Sequence, residues 1–128
     1  MRILSLLLLL ALVGCGGTSA TSSGRQLNSV AVQPATATAS IGSSANFTAM
    51  GTFQDGKTEN LATDGWGVTW VSDSPQTASV NANGAATCLA SGGPVEITAQ
   101  AVDWKCTGNA CPTRPVHIVN GSATLTCQ

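Results

Sequence analysis

Val95-Glu96-Ile97-Thr98-Ala99-Gln100-Ala101 alternates apolar and polar side chains over seven residues without a break. Period two marks a strand with one buried face, because successive side chains leave the backbone on opposite sides. Wound as a helix, the same apolar residues would scatter around the whole circumference. The stretch therefore predicts a strand with Val95, Ile97, Ala99 and Ala101 turned inward. The same period recurs on both sides of it. Toward the carboxyl end, Ala123, Leu125 and Cys127 alternate with Thr124 and Thr126. Toward the amino end, Ala86, Cys88 and Ala90 share a face, and Ala78 with Val80 forms a short strand closed by an Asn83-Gly84 turn. Val68 and Trp70 share one face, with Thr69 and Val71 on the other. Phe47, Ala49, Gly51 and Phe53 precede an Asp55-Gly56 turn. Ala37, Ala39 and Ile41 follow a strand of Val30 and Val32 that Pro34 ends. From residue 28 no segment shows a capped helical period. The pattern predicts an all-β antiparallel sandwich of about seven or eight strands, with Trp70 packed in its core.

The amino end differs. Met1-Arg2 gives a positive start, Ile3 to Val13 is apolar apart from Ser5, and Gly14, Gly16 and Gly17 are small. This order is that of a secretory signal. Eleven helical residues reach about 16 Å, against about 30 Å for a hydrocarbon core, so the run is too short to span a membrane. Leu12-Val13-Gly14-Cys15 resembles the lipobox of bacterial lipoproteins. That resemblance implies cleavage before Cys15, a diacylglyceryl group on its thiol and acylation of its amine. Two acyl chains suffice for stable anchoring. The expected organisation is a signal peptide over 1–14, a lipidated cysteine and Gly/Ser/Thr-rich tether over 15–27, and the sandwich over 28–128.

The chain has 128 residues, so the mature part holds 114 (128 minus 14), enough for one domain with its own core. Four basic residues against six acidic ones leave the mature chain near −2, with no basic run. Nucleic acid is excluded as a partner, because phosphate contacts need clustered Lys and Arg. Cys88, Cys106, Cys111 and Cys127 remain once Cys15 carries lipid, an even number in an exported chain. Cys88 and Cys127 fall on the inward phase of their strands, and Cys106 and Cys111 flank a four-residue turn segment. The expected bridges are therefore Cys88–Cys127 and Cys106–Cys111.

The strand series resembles the group-2 bacterial immunoglobulin-like domains. The likeness is carried by Val30-Ala31-Val32-Gln33-Pro34, Ser40-Ile41-Gly42, the Phe47 to Gly56 strand and turn, and Val68-Thr69-Trp70-Val71-Ser72. Ala78-Ser79-Val80-Asn81-Ala82-Asn83-Gly84 matches an Ala-x-Val-x-x-x-Gly signature, and Val95 to Ala99 and Ser122 to Thr126 complete the set. The resemblance implies an immunoglobulin-like β-sandwich over residues 28 to 127. Members usually lack cysteines and occur in tandem within large surface proteins, adhesins among them. Here a single copy carries four cysteines and an insertion from Asp103 to Pro115 before the last strand.

His117 lies in an apolar run, Val116-His117-Ile118-Val119, without a Gly-x-Ser-x-Gly elbow. It reads as an outward strand residue rather than a catalytic one. The Cys106-x₄-Cys111 spacing is not that of a zinc pair, and the exported address favours disulfides over metal. Asp55, Glu59 and Asp64 lie in one loop-rich region but follow no calcium-loop pattern, so solvated loops are expected there. No cofactor is expected. Trp66, between Gly65 and Gly67, and Trp104, opening the cysteine-bounded insertion, are the candidates for an exposed binding surface. The sequence thus points to a lipid-anchored, non-catalytic interaction or scaffold module of the cell envelope. Its expected partners are the membrane, through Cys15, and an envelope protein or glycan. A carbohydrate-binding or adhesion module is the alternative, with a small envelope enzyme as the remaining one.

Overall fold

The structure is a computed structural model that describes residues 25–63, 65–105 and 115–128. Cys15, Asp64, Cys106 and Cys111, with the leader, most of the tether and their expected roles, lie outside the described residues. Among the described residues, the chain forms eleven strands and no helix. One layer holds β1 (Arg25–Gln33), β3 (Ser44–Asn46), β4 (Thr48–Phe53), β5 (Thr58–Asn60), β7 (Ala78–Val80), β8 (Ala85–Cys88) and β10 (Trp104–Lys105). The other holds β2 (Thr36–Ala39), β6 (Thr69–Ser72), β9 (Gly92–Val102) and β11 (Ile118–Cys127) in the order β2-β11-β9-β6. β3 and β4 are one strand broken only at the buried Phe47; β3 pairs with β8, and β4 with β1 and β5. The first layer thereby matches the A-B-E-D order of an immunoglobulin-like sandwich, and β6-β9-β11 matches C-F-G. Counting β3–β4 as one strand and setting aside the short β5 and β10 leaves eight, as the alternation predicts.

One pairing is not antiparallel. The chain passes from one layer to the other at Pro34-Ala35 without reversing direction, so β2 runs parallel to β11, from Thr36↔Thr124 to Cys127↔Ala39. A proline can neither extend β1 nor donate to a ladder there.

The inward residues are those that the alternation selects. Val95, Ile97, Ala99 and Ala101 are buried on β9, Ala123, Leu125 and Cys127 on β11, and Phe47, Ala49 and Phe53 along β3–β4. Two of the inward assignments fail. Ile41 is 54% exposed because β2 ends at Ala39 and Ile41 opens a turn, its N–H donating to the Gln128 carbonyl. Ala90 lies past the end of β8 and is also exposed. The sandwich also starts before Asn28. β1 begins at Arg25 and Leu27 is buried, because residues 25 and 26 pair with Lys105 and Trp104 of the insertion. The tether therefore ends three residues earlier than its composition suggests.

Asp103 closes the neck of that insertion. Its N–H donates to the His117 carbonyl at 2.9 Å, its carbonyl accepts Leu27 N–H at 2.8 Å, and its carboxylate accepts His117 N–H at 2.9 Å. The two ends of the insertion are thus joined at its base, and both are tied to β1.

Candidate functional site

Trp66 is buried, which overturns its assignment to a binding surface. The segment after β5 folds inward rather than out, placing Leu61 and Trp66 under one end of the sandwich. The indole of Trp66 meets Phe53 edge to face, with centroids 5.0 Å apart, and its Nε1–H donates to the Val102 carbonyl at 2.7 Å. A tryptophan so placed fills the core and satisfies its one polar atom internally. The Arg25 guanidinium lies over the Phe53 ring, 3.8 Å from its centroid, and pairs with Glu59 at 2.8 Å. Trp104 is half-buried on β10, beside Gln26.

The remaining tryptophan makes the concave surface. Trp70 on β6 is half-buried rather than enclosed, and its ring lies over Gly84 in the turn between β7 and β8. A Cβ at Gly84 would sit 2.9 Å from Cε2 and Cζ2 of that ring and would overlap the Phe47 carbonyl oxygen. Glycine is therefore required here twice, by contact and by its φ of +83°. The turn is fixed by Asn81, whose side-chain oxygen accepts the N–H groups of Asn83 and Ala85 at 2.9 and 3.0 Å. Opposite, Asn60 at the end of β5 accepts Ala62 N–H at 3.0 Å and so shapes the second wall. Between the walls lies an open cleft of about 550 Å³, with Phe47, Val68 and Trp70 among its apolar lining and Thr48, Asn60 and Asn83 among its polar lining. None of its described lining residues is charged. An aromatic platform flanked by amides and a hydroxyl suits a neutral, polyhydroxylated ligand better than an ion. Sequence reasoning selected Trp70 only as core. The Asn-Gly turn that carries its support was legible, but the return of Leu61 and Trp66 to the core, which sets the far wall at Asn60, Ala62 and Gly65, was not.

The other site residues fall apart from one another. His117 is exposed, and its backbone rather than its ring engages Asp103. The Asp55 carboxylate accepts Lys57 N–H at 3.0 Å inside its own turn, while Glu59 pairs with Arg25. Among the described residues no three His, Cys, Asp or Glu side chains gather where they could hold a metal ion. Cys88 and Cys127 form a disulfide, with Cα atoms 5.6 Å apart, that joins β8 to β11 across the two layers.

No protein-family profile matches the chain. Ice-binding protein 1 of Shewanella frigidimarina (strain NCIMB 400) is 36% identical over 98 residues, covering 72% of this chain. The chain spans 10% of that protein's length. Among solved structures, a bacterial Ig-like domain-containing GH10 xylanase from termite gut is similar at 20% identity and a TM-score of 0.29, covering 70% of this chain and 18% of that one.

Proposed function

We propose that this chain is an exported, lipid-anchored, non-catalytic binding module of the bacterial cell envelope, working through the Trp70 cleft on a neutral glycan. The cleft between Asn60 and Asn83 carries the reading, since its chemistry calls for a ligand with both CH faces and hydroxyls. The signal-like leader over 1–14 and the lipobox resemblance at Cys15 support the address and the membrane partner. The Cys88–Cys127 bridge agrees with an oxidising compartment. The match to a tenth of a much longer binding protein supports a module rather than a whole machine.

The test is a tryptophan-fluorescence titration of the acylated protein with oligosaccharides released from bacterial envelopes. Saturable quenching that weakens in Asn83→Ala is expected, because that exposed amide lines the cleft without supporting the core. Saturable quenching equal in both proteins, or none with any fragment, would refute the cleft assignment and leave a scaffold role. Intact mass should show a chain beginning at an acylated Cys15; an uncleaved leader would refute the anchor.

A further inference from the structure

We propose that the Val116–Ile118 end of the outer face of the β2-β11-β9-β6 sheet rests against the lipid bilayer, so that the domain is oriented on the membrane as well as tethered to it. The proposal depends on the acyl anchor at Cys15 proposed above. Even-numbered residues of β11 point away from the core, since Ala123, Leu125 and Cys127 point into it. At the start of that face Ile118 is 58% exposed and lies beside Val102 of β9. Val116, two residues earlier, is 55% exposed. Farther along, the outward residues become polar, with Asn120, Ser122, Thr124 and Thr126 on β11 and Gln100, Thr98 and Glu96 on β9. Apart from Val71 on β6, 42% exposed beside Thr98 in the middle of the face, the exposed apolar side chains of this face are therefore gathered at one end of it.

That end is also where the anchor arrives. Arg25, the first described residue, pairs with Lys105, and Leu27 is bonded to Asp103, which is bonded in turn to His117. Two strand spacings, about 10 Å, thus separate the entry of the chain from Val116 and Ile118. Ten Cα–Cα steps separate Cys15 from Arg25 and reach at most about 35 Å. A tether so short holds nearby apolar side chains at high effective concentration against the surface in which the acyl chains sit. Ile41 provides the contrast. It is 54% exposed, but it is bonded to Gln128, just past the end of β11, about 30 Å from Ile118.

The experiment places reporters at both ends of the acylated full chain. Ile118→Trp, Val116→Trp and Ile41→Trp are each reconstituted into phosphatidylcholine–phosphatidylglycerol vesicles with or without brominated acyl chains. The parent protein is run alongside, so that its three tryptophans are subtracted. Emission added at 118 and 116 should shift to the blue on vesicles and lose half or more of its intensity to the brominated lipid, while that added at 41 should do neither. Added emission at 118 and 116 that stays water-like and unquenched, as at 41, on vesicles that still carry the acylated protein would overturn the orientation and leave the anchor standing. A chain that proves unacylated by intact mass and fails to float with vesicles would overturn the anchor and this inference together.

Discussion

Gly84→Ala, read against Gly56→Ala, tests the cleft wall most directly. Both glycines hold φ at +83°, so alanine at either site takes on the left-handed penalty of about 1–2 kcal/mol. Their surroundings differ. A Cβ at Gly56 meets nothing within 4 Å, whereas one at Gly84 lies 2.9 Å from two Trp70 ring atoms, about 0.7 Å inside ordinary carbon–carbon contact. It also overlaps the Phe47 carbonyl, which cannot yield easily. Phe47 is buried, and its N–H is held by the Gly84 carbonyl at 2.8 Å. Overpacking of this kind costs about 1–3 kcal/mol more. The expected losses are therefore about 2–5 kcal/mol for Gly84→Ala and about 1–2 kcal/mol for Gly56→Ala. For a domain of this size each kcal/mol lowers the melting temperature by about 4–8 °C. Urea midpoints of the two variants, with fluorescence read as the probe, measure the difference. If Gly84→Ala proves no worse than Gly56→Ala, Trp70 does not rest on the turn and the cleft is not built as described.

Removing the cross-link with Cys88→Ala/Cys127→Ala opens the loop it closes in the unfolded chain, and for a sequence separation of 39 the chain-entropy account gives a loss of about 4 kcal/mol by calorimetry. A loss under about 1 kcal/mol would mean that the bridge removes little unfolded-state freedom. Trp66→Phe keeps the aromatic contact with Phe53 but deletes the bond to Val102 and leaves space behind it, so it should lose about 1–3 kcal/mol in urea unfolding. Asp103→Ala frees the buried end of the His117 N–H bond and should cost about 1–3 kcal/mol, with faster amide exchange at His117 and Leu27 as its local signature. Arg25→Gln should cost under about 1 kcal/mol, since both partners of its ion pair are more than a third exposed.

Where the chain alternates, its structure was legible residue by residue. On β9 and β11 every residue assigned inward is buried, and the pairing of Cys88 with Cys127 follows from that phase alone. Legibility stopped at two kinds of place. At strand ends, Ile41 and Ala90 keep the apolar rhythm after the ladder has ended, because a turn and not a change in hydrophobicity stops the strand. In the loop after β5, Leu61 and Trp66 have no period at all. Two large apolar residues in an otherwise polar stretch were the available signal for a segment that returns to the core, and glycines on both sides of Trp66 made it read as an exposed tip instead. The cleft was hidden for the same reason, because its wall at Asn60, Ala62 and Gly65 depends on that return.

The composition of the core explains why the two ends of the sandwich are held differently. Of the eighteen buried apolar residues among those described, six are alanine: Ala49, Ala78, Ala86, Ala99, Ala101 and Ala123. A single methyl brings the layers close, but each removes little surface from water, at about 25 cal/mol per Å². Near Arg25 the deficit is offset by bulk, with Leu27, Phe53, Leu61 and Trp66 packed together and Arg25 lying over Phe53. At the opposite end, by Gln128, the exposed Ile41 and Leu89 contribute little, and no aromatic ring joins the layers. That is where the disulfide lies, between β8 and β11, with the Cys127 sulfur also close to the Thr77 carbonyl. A covalent link thus joins the layers at the end that lacks an aromatic cluster, beside the buried Val95 and Leu125, which suits a chain that folds where thiols are oxidised and ties its stability to that compartment.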